Sequence, residues 1–396
     1  MALPLHFHLV DEITQILYAI FNDRKYADKV IEKCFKANRK WGARDRKFVA
    51  ESVYEIVRHK RRLEFIAGSD QAWDLVGAYL FSTMNELPDW PEFDHLDMNE
   101  LQKRNSAEKP PEVANSFPDW LNELGKAEFG GEWNKIMNAL NAPAEVYLRA
   151  NTLKISAEHL VSELRAEEVE AENLFDSCIK LTKRKNVFIT QCFRKGYFEV
   201  QDAASQMVAP LLDVKPGLRV VDACAGAGGK SLHLAALMKN KGKIISMDIH
   251  DWKLKELKVR AARDGVDIIE TKVIESNKTI KRLENSFDRV LLDVPCSGMG
   301  VLRRNPDTKW KLSMEEIERL MKLQKEIITD YSKLCKAGGL MVYATCSILH
   351  RENEEQVKWF LESEAGKNWQ LKKEMRIWPH KDKFDGFFAA VLEKQS

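Results

Sequence analysis

Cysteine pairs, long apolar runs and net charge are all scarce in this chain. The seven cysteines among 396 residues are odd in number and include no C-x-x-C pair, so neither a disulfide framework nor a structural zinc site is expected. No other metal site is suggested. No run of about 18 uncharged apolar residues occurs, which excludes an obvious transmembrane helix. The opening Met1-Ala-Leu-Pro-Leu-His-Phe-His meets Asp11 and Glu12 without a basic flank, so no secretory signal is expected and a reducing, cytoplasmic setting fits best. Lys and Arg number 62 against 60 Asp and Glu, a net charge of only +2; nucleic-acid binding, if any, must come from local basic patches. Internal repeats and low-complexity tracts are also missing. What remains is a globular composition, 44% hydrophobic, long enough for two or three domains.

Apolar residues recur at helical spacing from Leu9 to Phe81, as in Ile13, Ile16, Leu17 and Ile20, then Phe48, Val49, Val53, Ile56 and Val57. The stretch from Asn85 to Pro118, rich in Pro, Asp, Glu and Asn, reads as a long connection before helical spacing resumes at Trp120 to Leu140. An all-α domain over residues 1–140 follows. Residues 141–215 read as a small α+β insert, with strands at Glu145 to Thr152, Cys178 to Thr182 and Val187 to Thr190 and a helix at Ala157 to Leu164. Over 216–396 the pattern is strand, turn, helix, repeatedly, with strands at Leu218 to Asp222, Lys243 to Ile249, Ile268 to Val273, Arg289 to Asp293 and Gly339 to Ala344. Such alternation predicts a mostly parallel, doubly wound α/β sheet.

Chemistry in such sheets gathers at the carboxyl ends of the strands. One of these ends, Asp222-Ala-Cys-Ala-Gly-Ala-Gly-Gly-Lys-Ser231, is a glycine-rich turn into a helix. It is not a phosphate loop: the glycine required five residues before Gly229 is Cys224. Nor does it complete a dinucleotide fingerprint, because Ser231 stands where the third glycine belongs. A nucleoside-bearing cofactor without a pyrophosphate remains, with Asp248 at the next strand end placed to accept ribose hydroxyls. S-adenosylmethionine meets those demands.

Two further strand ends carry Asp293-Val-Pro-Cys-Ser-Gly and Tyr343-Ala-Thr-Cys-Ser. Cys296 and Cys346 therefore belong to the same rim as the glycine turn and can share a pocket, whereas Cys34, Cys178, Cys192 and Cys335 read as inert buried hydrophobes. A reactive thiolate needs nearby positive charge, for which Lys230, Arg303, Arg304 and Lys309 are candidates. Asp293 could be a metal-binding acid, but an Asp-x-Pro-Cys loop beside a sulfonium cofactor suits contact with the ring N3 and amino group of a base instead.

Together these residues resemble the RNA cytosine-5 methyltransferases of the Sun type, the Fmu or RsmB-like family. The likeness covers Tyr147-Leu-Arg-Ala-Asn-Thr, Gly196-Tyr-Phe-Glu-Val-Gln-Asp-Ala-Ala-Ser, the turn Cys224 to Lys230, Asp248-Ile-His, the run Phe287 to Trp310, Tyr343-Ala-Thr-Cys-Ser-Ile and Asp385-Gly-Phe-Phe-Ala-Ala. It implies a Rossmann-like class I methyltransferase domain. The helical N-terminus, with Gly42-Ala-Arg-Asp-Arg-Lys-Phe48 and Val53-Tyr-Glu-Ile-Val-Arg58, resembles the NusB-type RNA-binding domain of RsmB-like members.

The resemblance further implies that Cys346 adds to C6 of cytosine, that Asp293 holds the protonated N3, and that Cys296 helps to release the product. Cys296 remains the alternative nucleophile, as in DNA cytosine methyltransferases. S-adenosylmethionine would lie against Cys224, Ala225, Gly226, Ala227, Gly228, Gly229, Lys230, Asp248 and Asp293. Two places depart from the family pattern: the turn reads Cys-Ala-Gly-Ala-Gly-Gly-Lys in place of Cys-Ala-Ala-Pro-Gly-Gly-Lys, and Glu275 is the nearest acid where an Asp is usual beside the adenine. The implied substrate is RNA acted on by a monomer, ribosomal RNA before transfer RNA, with a non-catalytic ribosome-assembly factor as the rival reading. An unstacked base would be needed, with Arg303, Arg304, Lys309 and Trp310 available for phosphate and stacking contacts, the alternative being a solvated loop with Trp310 packed in the core.

Overall fold

A computed structural model describes residues 5–395. The chain divides into two compact units, Met1–Ala142 with Leu302–Leu312, and Pro143–Val301 with Ser313–Ser396. Among the described residues no helix is long and apolar enough to cross a membrane.

The first unit is helical. Helices Phe7–Phe21, Ala27–Ala37, Ala43–Arg58, Lys60–Ala67 and Ala72–Met84 turn the residues of the apolar spacing inward, so that Ile13, Ile16, Leu17, Ile20, Val49, Val53, Ile56 and Val57 share one core. The expected connection after Asn85 contains a further helix, Met98–Ser106, started by Asp97, whose carboxylate accepts the Asn99 N–H. Helices Asp119–Phe129 and Trp133–Asn141 complete this part.

Leu302–Leu312 folds with these helices, and this corrects the expected RNA contacts. Lys309 is 1% exposed; its ammonium donates to Arg58 O (2.8 Å) and Asn141 Oδ1 (3.0 Å) and lies 4.4 Å from the Phe117 ring. Burial holds its pKa well below the ordinary value. Arg303 is buried as well. Trp310 donates its indole N–H to Val57 O (2.7 Å) and packs against the helical core. A segment that reads as a polar, solvated loop is therefore an anchor, because the Lys309 ammonium and the Trp310 indole N–H find carbonyl or amide oxygens. Of the four residues, Arg304 and Trp310 stay half-buried.

The second unit contains two sheets. The smaller comprises β1 (Tyr147–Ala150), β2 (Ala171–Phe175), β3 (Cys178–Leu181) and β4 (Phe198–Val200) in the antiparallel order β2-β3-β1-β4, with helix Ala157–Ala166 beside it. The expected strand at Val187 to Thr190 is instead a single 3₁₀ turn, Val187–Ile189. Asn186 accepts the Phe188 N–H and Thr190 caps the helix that follows, so local side-chain bonds take the backbone out of extended pairing.

The larger sheet comprises β5 (Arg219–Asp222), β6 (Lys243–Asp248), β7 (Ile269–Val273), β8 (Phe287–Asp293), β9 (Cys335–Thr345), β10 (Trp369–Ile377) and β11 (Phe387–Lys394), ordered β10-β11-β9-β8-β5-β6-β7. Strands β9, β8, β5, β6 and β7 run parallel, and β11 runs antiparallel to both its neighbours. It is a doubly wound, Rossmann-like sheet, mostly parallel with β11 inserted antiparallel, as the resemblance implied. Alternation along the strands divides its core in two: Val220, Leu291, Val342 and Ala389 face one layer of helices, while Val221, Leu292, Tyr343 and Ala390 face the other. Because both faces are covered, the central strands read as continuous apolar runs.

Candidate active site

At the end of β5 the chain bends through Ala223 to Gly228 into helix Gly229–Leu237. Gly226 (φ +54°) and Gly228 (φ +85°) take the left-handed conformation that glycine adopts without strain. A side chain on Gly228 would also strike Leu257, whereas one on Gly226 would meet nothing within 4 Å. The turn is thus braced behind and open in front. Two carbonyls of the bend are tied back, Ala227 O to Arg260 and Gly229 O to Arg149, both at 2.6 Å. Burial draws the Arg149 guanidinium down to a pKa of about 10.

Asp248, at the end of β6, accepts the Gly226 N–H (3.0 Å) and the His250 N–H (2.8 Å). Asp222 accepts the Ser231 hydroxyl at 2.7 Å. Its other carboxylate oxygen is buried without a partner, and burial pushes its pKa up to about 7. An open bend, a carboxylate at its edge and an unpartnered buried oxygen suit a nucleoside-bearing ligand. The Cys224 thiol is half-buried, with its pKa raised by burial, so only the backbone of this residue belongs to the bend's chemistry.

Strands β8 and β9 are parallel neighbours in which Asp293 pairs with Ala344. Their loops therefore leave the sheet side by side, and the Cys296 and Cys346 sulfurs come within 3.4 Å of each other. Both cysteines are half-buried. The Lys230 ammonium reaches over from the glycine-turn helix and donates to Asp293 at 2.5 Å. Burial opposes its charge, but Asp293, then Cys346 and Asp222, outweigh this and raise the pKa. Lys230 is accordingly the cation whose field reaches Cys346. The Cys296 thiol is pushed well above its ordinary range, first by its hydrogen bond with Cys346 and then by burial.

Glu275 lies just past β7 and is exposed; the neighbouring Ile274 N–H donates to Asp248 O at 3.0 Å. Several residues of the rim went unnoticed in the sequence. Arg149 and Arg260 brace the turn from distant segments; Arg149 lies in the Tyr147-Leu-Arg-Ala-Asn-Thr stretch without its role being visible there, and no local pattern marks Arg260. Ser297, Ser347, Gln324, Glu352 and Asn353 form a buried polar group beneath the cysteines. Only the serines carried a signal, as immediate neighbours of the two thiols.

Residues 209–393 match the family model for the 16S rRNA methyltransferase RsmB/F, and residues 117–188 match the ferredoxin-like domain of RsmF/B-like methyltransferases. The probable ribosomal RNA small subunit methyltransferase B of Bacillus subtilis is 36% identical over 299 residues, which cover 71% of this chain and 67% of that protein. Among solved structures, PH0851 superposes over 100% of both chains with a TM-score of 0.81 at 28% identity. NSun6 from Pyrococcus horikoshii, solved with SFG, gives a TM-score of 0.66 at 25% identity over 71% of this chain and 99% of its own. With the fold, the two half-buried thiols and these relatives in agreement, the chain belongs to the RsmB/F family of Sun/Fmu-type RNA methyltransferases.

Proposed function

We propose that this protein methylates C5 of a cytosine in RNA, with small-subunit ribosomal RNA as the substrate and S-adenosylmethionine as the donor. The observation that carries the reading is the pair of sulfurs 3.4 Å apart beside the Lys230–Asp293 ion pair. The bend from Cys224 through Ala225, Gly226, Ala227, Gly228 and Gly229 would hold the cofactor, with Asp248 toward its ribose and Glu275 as the nearest acid past β7. Support for that ligand comes from NSun6, solved with SFG, an analogue of S-adenosylmethionine. When bound, S-adenosylmethionine supplies an electrophilic methyl group.

The residues of the chain prepare the base to accept it. Cys346, under the field of Lys230, adds through sulfur to C6, and the electron pair moves to C5. Asp293 steadies the ring by holding the proton on N3. Once C5 is substituted it gives up its proton, the C6–S bond breaks and the aromatic ring returns. Cys296 stands 3.4 Å from that sulfur, placed to assist release, while the Lys230 ammonium beside Asp293 supports Cys346 as the nucleophile.

Labelled S-adenosylmethionine and ribosomal RNA from cells lacking this enzyme test the reading. The expected outcome is 5-methylcytosine at a defined position, with label abolished in Cys346→Ala. Cys296→Ala is expected to accumulate a covalent protein–RNA adduct, seen as a slow band that survives denaturing electrophoresis. Methyl label on adenine or on protein, or an adduct formed equally by Cys346→Ala, overturns it.

A further inference from the structure

Each of the two cysteines is followed in the chain by a serine, and both serines turn onto one side chain. Glu352 is fully buried. Its Oε1 accepts the Ser297 N–H (2.8 Å) and the Gln324 side-chain amide (3.0 Å), while its Oε2 accepts the Ser297 and Ser347 hydroxyls, both at 2.5 Å. All four of these donors are uncharged. Gln324 also donates to Pro295 O (2.9 Å), in the residue before Cys296. The next residue, Asn353, accepts from the Thr345 hydroxyl (2.5 Å) and donates to Ser347 O (3.0 Å), bracketing Cys346 on both sides. Tyr343, from β9, donates its hydroxyl to Glu352 O at 2.8 Å.

A carboxylate placed this deep is costly unless it is richly hydrogen-bonded. Here the bonds run to two separate loops, so the same contacts that satisfy the charge also fix the loops to each other. The serine hydroxyls are oriented in turn, for Ser297 Oγ accepts the Met299 N–H (3.4 Å) and Ser347 Oγ accepts the Leu349 N–H (3.1 Å). Each hydroxyl thus accepts from the backbone of its own loop and donates to Glu352, and the two hydroxyl oxygens lie 3.2 Å apart.

We infer that Glu352 is a positioning residue that ties the Cys296 and Cys346 loops together and so sets the spacing of the two sulfurs. Its bearing on catalysis rests on the cytosine-5 reading above; its bearing on the sulfurs does not. The exchange of Glu352 for Gln keeps the shape and the Oε1 contacts. It places an N–H₂ group against two hydroxyls whose protons then lack an acceptor. Ala removes the tie altogether.

The test uses full-length Glu352→Gln and Glu352→Ala with two measurements. The first is the rate at which diamide oxidises Cys296 and Cys346 to a disulfide, the two thiols giving two electrons and two protons to the N=N bond; peptide mass spectrometry identifies the pair. The second is kcat and KM for methyl transfer to RNA. Both the oxidation rate and kcat are expected to fall in the order wild type, Gln, Ala, reaching about 100-fold for Ala, with KM for RNA within about threefold. Unchanged oxidation rates in a folded variant overturn the inference, as does loss of kcat with oxidation intact. If wild-type protein makes no 5-methylcytosine while the oxidation rates still keep that order, the chemistry is wrong and the tie stands. Should Glu352→Ala fail to fold, Glu352→Gln decides alone.

Discussion

Asp222 shows how much of the behaviour of this site belongs to single side chains. Burial lifts its carboxyl to about 7, against about 3.9 for an unperturbed aspartate. The folded chain therefore holds a proton that the unfolded chain has lost over the window between about pH 4 and pH 7. A raised folded-state pKa stabilises fully below the unfolded value and loses its contribution as pH rises through the folded one, here by a few kcal/mol at most, on the order of 1.4 per unit. Asp222→Asn cannot ionise, so its urea midpoint is expected to change less than the wild-type midpoint between about pH 5 and pH 8. Parallel curves for the two proteins would defeat the assignment. At this scale the sequence was partly legible. Cys296, Cys346, Asp293 and Lys230 stood out because small residues beside apolar strands are unusual neighbours for reactive groups. Glu352 did not, since within Arg351-Glu-Asn-Glu-Glu355 one acid reads like another and burial leaves no local trace.

Burial on both faces made four strands legible, although β11, as buried as they are, was not placed as a strand. Strands β5, β6, β8 and β9 are apolar runs, and their ends were placed within a few residues of the observed ones. Strand β10 was missed because it lies at the sheet edge with Gln370 to Glu374 exposed, so its composition is that of a surface. What no run of residues could show is which strands are neighbours. The cysteines meet because β8 and β9 pair with Asp293 opposite Ala344, a fact of topology rather than pattern. The loop after β8 is held on the same rim by close backbone approach: Gly300 N–H donates to Cys346 O (2.9 Å), and Gly386 N–H donates to Gly300 O (2.8 Å). A methyl group on Gly300 would collide with Gly386 O and lie 2.8 Å from Cys346 O. Gly300→Ala is therefore expected to cost about 1–3 kcal/mol in a denaturant titration, as overpacked sites do. It is also expected to lower kcat more than it raises KM, because the displaced backbone carries Cys346. Wild-type stability and kcat together would show that the loop yields freely.

For the whole molecule, the order of the chain is not the order of the units. Leu302–Leu312 belongs with the helices of Met1–Ala142, although it lies between two parts of the α/β unit in sequence. The run Arg303-Arg-Asn-Pro-Asp-Thr-Lys-Trp310 looked like a basic loop offered to RNA, since charge was the visible property and the partners were far away in the chain. Lys309 and Trp310 instead close the helical unit through Arg58 O, Asn141 and Val57 O. Folding of that unit must therefore wait for a piece made long after its other helices, a non-local closure of the kind that slows folding. Trp310→Ala removes the indole from the helical core and leaves Val57 O without its donor. The expected loss is about 2 kcal/mol, below the range for fully buried aromatic truncations because the indole is half-buried. The change should also free the segment for proteolysis, because Arg303 and Lys309 are buried in the intact protein and trypsin needs an extended, accessible backbone. Limited digestion followed by mass spectrometry is expected to show cleavage after Arg303 and Lys309 far earlier in Trp310→Ala than in wild type. Equal rates at those two sites would mean that the segment is held by something other than its seat among the helices.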